Sequence, residues 1–244
     1  MNTKSVSHFI ARPLSLLAAM FTLIPVGLAT STADDAHGRG SLLHHRRPHI
    51  LPPQPRHSQR IYAAYQARWW QWVLSQPVDH SPILDTADGS AGQAGPVWFL
   101  AGSFGTDPVV RTLTVPSGKA LFFPVLNNVF FITEPDENEA VARAAVNAAV
   151  DQAVIPSLFV QIDGHSVAHL DRYRTESALF DTGSLPANNL FGLPAGTVLP
   201  GVDDGFYLLL APLSPGEHTI HFGGAFADGF SQDITNHITV ERRR

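Results

Sequence analysis

From Pro96 onward short apolar runs alternate with turn residues, and that rhythm constrains the fold more than any other feature of the chain. Residues 97–101, 109–115, 119–126, 129–133, 158–162, 166–173, 206–213, 218–222 and 233–240 read as strands. Pro116-Ser117-Gly118, Asp163-Gly164, Pro215-Gly216 and Asp228-Gly229 separate many of them. Asp-Gly supplies the positive φ angles of a tight hairpin, and Pro-Gly fits a type II turn. Many short strands with frequent turns predict a mainly β chain: an antiparallel β-sandwich, jelly-roll or immunoglobulin-like. The alternation is too irregular for a transmembrane barrel.

Two helices are expected outside the sheets. Ser58 reads as an N-cap, Ile61, Tyr65, Trp69, Trp72 and Val73 recur at helical spacing, and Pro77 stops the run, which predicts an aromatic helix over 58–75. An Ala-rich stretch over 134–153 reads as an inserted helix, with Thr133 or Asp136 as cap and Val146 and Val150 on one side. Acidic residues in its first turn favour the positive end of the helix dipole, and this explains them better than a metal site.

The N-terminus has the layout of an export signal. Lys4 and Arg12 give a positive start, 14–24 is apolar, and Gly27/Ala29 and Ser31/Ala33 offer cleavage after Ala29 or Ala33. The apolar run is too short to span a bilayer. We expect residues 1–33 to be a signal peptide, 34–58 a linker rich in Pro, His and Arg, and 59–241 a single sandwich domain, secreted or periplasmic.

Cysteine is absent, which excludes disulfides, a lipoprotein anchor, cysteine zinc sites and thiol nucleophiles. Charge is uneven. Residues 34–60 hold five arginines against two aspartates, whereas from Ile61 onward nine Lys and Arg face nineteen Asp and Glu. An acidic body repels phosphate backbones, so nucleic acid is not an expected partner. The basic leader could touch an anionic surface but reads as a solvated linker.

His165 and His169 follow the Asp163-Gly164 turn, and as strand residues their imidazoles would start about 13 Å apart, too far to share one ion. They are expected to be partly buried and hydrogen-bonded on the face of Leu158, Val160 and Ile162. His218 and His221, three apart in a strand, face opposite ways. No metal or cofactor is expected. There is no Gly-x-Ser-x-Gly, Ser-x-x-Lys or His-Glu-x-x-His, and Ser117-Gly118-Lys119 lacks the upstream glycine of a phosphate loop. A hydrolase would need acid and base groups brought together by the fold, from Asp85, Asp88, His80, His165 or His169.

The most distinctive stretch runs from Trp69 to Gly102. Trp69-Trp70-x-Trp72, the loop Asp85-x-x-Asp88-Gly89 and Gly92-Gln93-x-Gly95-Pro96-Val97-Trp98-Phe99-Leu100-Ala101-Gly102 place four tryptophans around a glycine-rich loop. Aromatic faces beside amides build many ligand clefts, which makes Trp69, Trp70, Trp72, Gln93 and Trp98 candidate binding residues. The competing reading has Trp69, Trp72 and Trp98 docking the helix on the sandwich while Gln93 caps loop backbone.

Together with Arg111-x-x-x-Val115-Pro116-x-Gly118-Lys119-x-x-Phe122-Phe123-Pro124, this stretch resembles an uncharacterised family of secreted bacterial proteins. The similarity continues through Asp163-Gly164, Pro212-Leu213-x-x-Gly216-x-His218-x-Ile220-x-Phe222 and the last strand. The resemblance implies cysteines near the glycine loop and before Val-Pro; this chain has Ala91 and Leu113 there, so such a disulfide is absent. It implies no activity. The last two strands also resemble the closing hairpin of immunoglobulin-like modules. The functional expectation is a secreted or periplasmic binding or structural module of the cell envelope, taking a glycan or protein ligand, with a secreted Asp/His hydrolase as the alternative.

Overall fold

The computed structural model describes residues 49–53, 56–84 and 89–242, all within one compact unit. The signal read over 1–33, most of the linker read over 34–58, and Asp85 and Asp88 lie outside the described residues. In chain order the elements are β1 (Ile50–Leu51), α1 (Arg56–Leu74), β2 (Val97–Phe99), β3 (Val109–Val115), β4 (Ala120–Phe131), α2 (Glu139–Val150), β5 (Phe159–Ile162), β6 (His165–Ser166), β7 (Arg174–Glu176), β8 (Phe180–Asp181), β9 (Pro200–Leu210), β10 (Gly216–Ala225) and β11 (Ser231–Val240).

Two sheets form, ordered β1-β9-β4-β2, with β7 and β8 also pairing with β9, and β3-β11-β10-β5-β6. The chain is mainly β, a sandwich of two sheets with an aromatic helix near the N-terminal side and one inserted helix. Most pairings are antiparallel. Two are parallel, β2 with β4 and β3 with β11, so the sheets of the expected sandwich are mixed. Neither parallel pair is a hairpin: β3 lies between β2 and β4 in sequence but joins the other sheet.

The sheets differ in how they are covered. In the second, β11 alternates buried and half-exposed residues, the pattern of a sheet with one face in water. The first sheet is covered on both sides, and β9 is buried from Gly201 to Leu210. Between the sheets Leu121, Phe123, Phe206 and Leu208 pack with Ile220, Phe222, Ile234 and Ile238. On the outer side Phe122, Tyr207 and Leu209 pack with Tyr62, Trp69 and Val73 of α1. Ala142 and Val146 of α2 cover Val202.

Several local expectations change. Residues 119–126 and 129–133 form one strand, β4; a register shift between Pro124 and Leu126 gives the proline a place without breaking the ladder. Ile50 and Leu51, read as linker, pair with Leu210 and Leu209. Ser58 lies inside α1 and is buried, so it is not the cap. Asn138, whose side chain accepts from Val141 N at 3.1 Å, caps α2 in place of Thr133 or Asp136. Of the strand read over 166–173 only Ser166 belongs to a strand, β6, because His169 takes a left-handed φ of 58° and a short 3-10 turn follows. His165 and His169 are therefore exposed, not partly buried on the Leu158 face. The Asp163-Gly164 hairpin forms as read, with φ of 50° and 76°.

The strand read over 206–213 begins earlier, because Pro200–Gly205, including Asp203-Asp204-Gly205, continues β9. Gly205 sits opposite Asn127, and a Cβ built there would lie 2.4 Å from Asn127 Cβ and 2.7 Å from Leu126 O. Close approach of two backbones, not turn formation, explains this glycine. Gly205→Ala is expected to destabilise the protein by about 2 kcal/mol or more, since a rigid neighbour must move. Denaturant unfolding checks this, and an unchanged midpoint would contradict the packing account.

Candidate functional site

The indoles of Trp69, Trp70 and Trp72 lie between α1 and the first sheet, from 1% to 5% exposed. Each ring donates one hydrogen bond: Trp69 Nε1 to Leu100 O at 2.9 Å, Trp70 Nε1 to Asp203 Oδ2 at 2.8 Å, and Trp72 Nε1 to Ala91 O at 2.8 Å. Trp69 meets Trp70 and Trp72 edge-on. Trp98 points the other way. Strand alternation sends Val97 and Phe99 toward α1 and Trp98 into the core between the sheets. The four tryptophans therefore do not line one open cleft, and Trp98 does not help to dock the helix. Gln93 caps loop backbone: its Nε2 donates to Gly89 O and Phe99 O, and its Oε1 accepts from Phe99 N at 3.0 Å. The candidate ligand residues Trp69, Trp70, Trp72, Gln93 and Trp98 thus hold the interior and a loop, and none offers a free aromatic face.

Beneath α1 the structure assembles a polar centre on Asp203, whose side chain is fully enclosed. Gln66 Nε2 donates to its Oδ1 at 2.8 Å. Trp70 Nε1 and Asn127 Nδ2 donate to its Oδ2 at 2.8 Å, and the Tyr207 hydroxyl does so at 3.0 Å. The Asp203 backbone N–H donates to Ser177 Oγ at 2.9 Å. The partners come from α1, β4 and β9, so one carboxyl joins the helix to the two central strands. None of the four side-chain donors is a cation. Burial pushes the Asp203 carboxyl up to about 7, against the pull of Trp70, Asn127 and Tyr207. Burial and the Asp203 charge also raise the Tyr207 phenol well above its usual range.

Asp204, the next residue, faces the other side of β9, as alternation requires. Arg174 grips it, with Nη2 2.6 Å and Nε 3.0 Å from Oδ2, and reaches Asp151 Oδ1 at 2.6 Å with Nη1. The hydrogen bond to Asp204 holds the guanidinium above its ordinary range. Burial raises the Asp204 carboxyl in spite of Arg174. This pair ties β7 and β9 to the end of α2. Sequence reading missed both carboxylates; the signal is two acids between Gly201-Val202 and Phe206-Tyr207-Leu208, where strand alternation sends them to opposite layers.

A third cluster has the residue types of acyl-transfer chemistry. His218 Nδ1 lies 2.7 Å from Asp163 Oδ2, and Ser214 Oγ lies 3.4 Å from His218 Nε2. Its geometry serves a different end. Nε2 lies 2.8 Å from the Ser214 carbonyl oxygen, closer than the 3.4 Å to the Ser214 hydroxyl, so the ring is held against the backbone of its own turn. Asp163 Oδ1 also accepts from Thr219 N at 2.8 Å, which ties the β5–β6 hairpin to β10. His221 faces away from His218, as expected, and lies 2.7 Å from Asp233 Oδ1. His80, His165 and His169 are exposed and do not converge with this cluster. Among the described residues no group of three or more His, Cys, Asp or Glu could hold a metal ion.

No protein-family model and no curated protein matches the chain. A solved structure described as PbICP-C in complex with falcipain-2 matches with a TM-score of 0.27 and 10% identity, covering 60% of this chain and 100% of that one. A likeness that weak carries no argument about fold or role.

The enclosed carboxyl predicts a pH dependence. Its folded pKa of about 7 lies above the ordinary 3.8, so the folded state keeps a proton that the unfolded chain has lost. The stabilisation from this group is full below about pH 4 and disappears as pH rises through about 7. Between pH 5 and 8 it amounts to roughly 2 kcal/mol. Denaturant midpoints should therefore fall over that interval, and Asp203→Asn should flatten the trend. The same slope in the variant would remove Asp203 as its source.

Proposed function

We propose that the chain is an exported module of the bacterial cell envelope that acts by binding or packing against a partner, not by catalysis. The observation that carries this reading is the arrangement of the reactive side chains. Asp203 is closed over by four neutral donors, Asp204 is gripped by Arg174, and His218 Nε2 is bonded to a backbone carbonyl. A general base needs a free lone pair within reach of a substrate proton, and these groups are committed to holding elements together. The water-facing side of the second sheet is hydroxyl-rich. The outer side of the second sheet presents Thr112, Thr114, Thr219, Thr235 and Thr239 with His221 and His237, none of them fully buried.

Export is supported by the leader pattern of residues 1–33 and by the resemblance to secreted bacterial proteins carried by the Gln93–Gly102 and Val115–Pro124 segments. The hydrolase reading keeps one specific observation in its favour, the Asp163–His218–Ser214 alignment.

Two measurements on the exported protein test the proposal. N-terminal sequencing should find cleavage after Ala29 or Ala33; an intact leader in the cytoplasmic fraction would contradict export. Glycosides, esters and peptides, offered with and without divalent metals, should not be turned over. Hydrolysis abolished by Ser214→Ala would replace the binding reading with the catalytic one.

A further inference from the structure

Helix α1 is two-sided in an unusual sense: its inner side carries the tryptophans, and its outer side carries only one sign of charge. The helix contains Arg56, Arg60 and Arg68, together with His57, and no Asp or Glu. All three arginines are exposed. At 100° per residue they fall within about 120° of the helix circumference and extend over about 18 Å. Between them on that arc lie His57 and Ala64, both exposed. Arg68 is steadied over the Tyr65 ring, 5.7 Å from its centroid.

These arginines are set apart by sharing one helix face without acidic partners among the described residues. Arg143 pairs with Glu139 and Glu176, and Arg174 pairs with Asp151 and Asp204. Arg56, Arg60 and Arg68 make no ion pair among the described residues. Arg56 and Arg60 close the basic 34–60 stretch and Arg68 opens the segment where nineteen acids face nine bases, so the row sets a cluster of positive charge beside an acidic body. In sequence the row continues Arg39, Arg46 and Arg47.

We propose that the outer face of α1 docks on an anionic phospholipid surface, an inference that rests on the binding reading above and names its partner. Charge complementarity supports this occupant. A bilayer offers a flat array of phosphates that a straight helix can meet along its length, while the acidic remainder is repelled and turned outward. The exposed positions between the arginines carry no large apolar side chain to insert, so the contact is peripheral and electrostatic. No helix among the described residues is long and apolar enough to cross a membrane.

The test is sedimentation of the full chain with vesicles of phosphatidylcholine alone or with about a third phosphatidylglycerol. The neutral vesicles account for any apolar attraction of the leader. We expect retention on the anionic vesicles at low salt that disappears at high salt. Changing Arg56, Arg60 and Arg68 together to Gln should weaken it roughly a hundredfold, about fivefold per arginine, while Arg172→Gln changes nothing. If the triple variant fails to fold, each single change should still show its fivefold loss. Equal retention on neutral and anionic vesicles, undiminished retention of the folded variants, or no retention of the wild type at low salt would overturn the proposal. So would preferential capture by a soluble polyanion such as heparin with none by vesicles. These outcomes are independent of leader cleavage and substrate turnover, so this inference can fail while the binding reading stands.

Discussion

A single carboxyl that never meets water joins the outer helix to the middle of the sandwich. Asp203 receives Gln66 and Trp70 from α1, Asn127 from β4 and Tyr207 from its own strand. An enclosed carboxyl without a cation is costly, and only a full set of donors makes it tolerable. The donors depend on it in turn. Removing the acid would leave an indole, two amides and a phenol buried without their acceptor, and each such loss costs about 1–3 kcal/mol. The apolar layer between α1 and the first sheet supplies attraction without direction, whereas the Asp203 bonds fix where along the sheet the helix sits.

The consequences spread outward from that point. Because α1 covers one face of β9 and β4, and the second sheet with α2 covers the other, these strands are buried on both sides and tolerate few gaps. Gly205 lets β9 approach Asn127, which places its amide on Asp203. Tyr62 repeats the device at the far end of β9, where its hydroxyl accepts from Leu209 N at 3.0 Å and donates to Leu51 O, which holds β1 against the helix. Opposite sides of α1 then do different work: the inner side is consumed in packing, and the outer side is left to carry uncompensated charge.

The architecture was legible where local chemistry and tertiary demand agree. Asp163-Gly164 takes the backbone angles its composition favours, and the alternation in 233–240 survives because one face of β11 meets water. It was not legible where tertiary packing overrides local preference. Asp203-Asp204-Gly205 has turn composition and becomes the centre of a doubly covered strand, since two acids of opposite orientation each find a dedicated set of partners. The density of tryptophans near a glycine loop is plain in the sequence, but no sequence rule separates an indole stacked in a cleft from one donating to Leu100 O or Ala91 O inside. The Ser214–His218–Asp163 alignment joins residues on a turn, a strand and a hairpin, a proximity that only the sheet register creates.

The account is tested most directly by native-state hydrogen exchange on Asp203→Leu, which keeps the burial and removes the acceptor. If the carboxyl holds the helix in register, amides of α1 should lose protection by at least an order of magnitude while those of β10 and β11 stay as they were. Unchanged protection across α1 would mean that apolar packing alone seats the helix, and the central claim would be wrong.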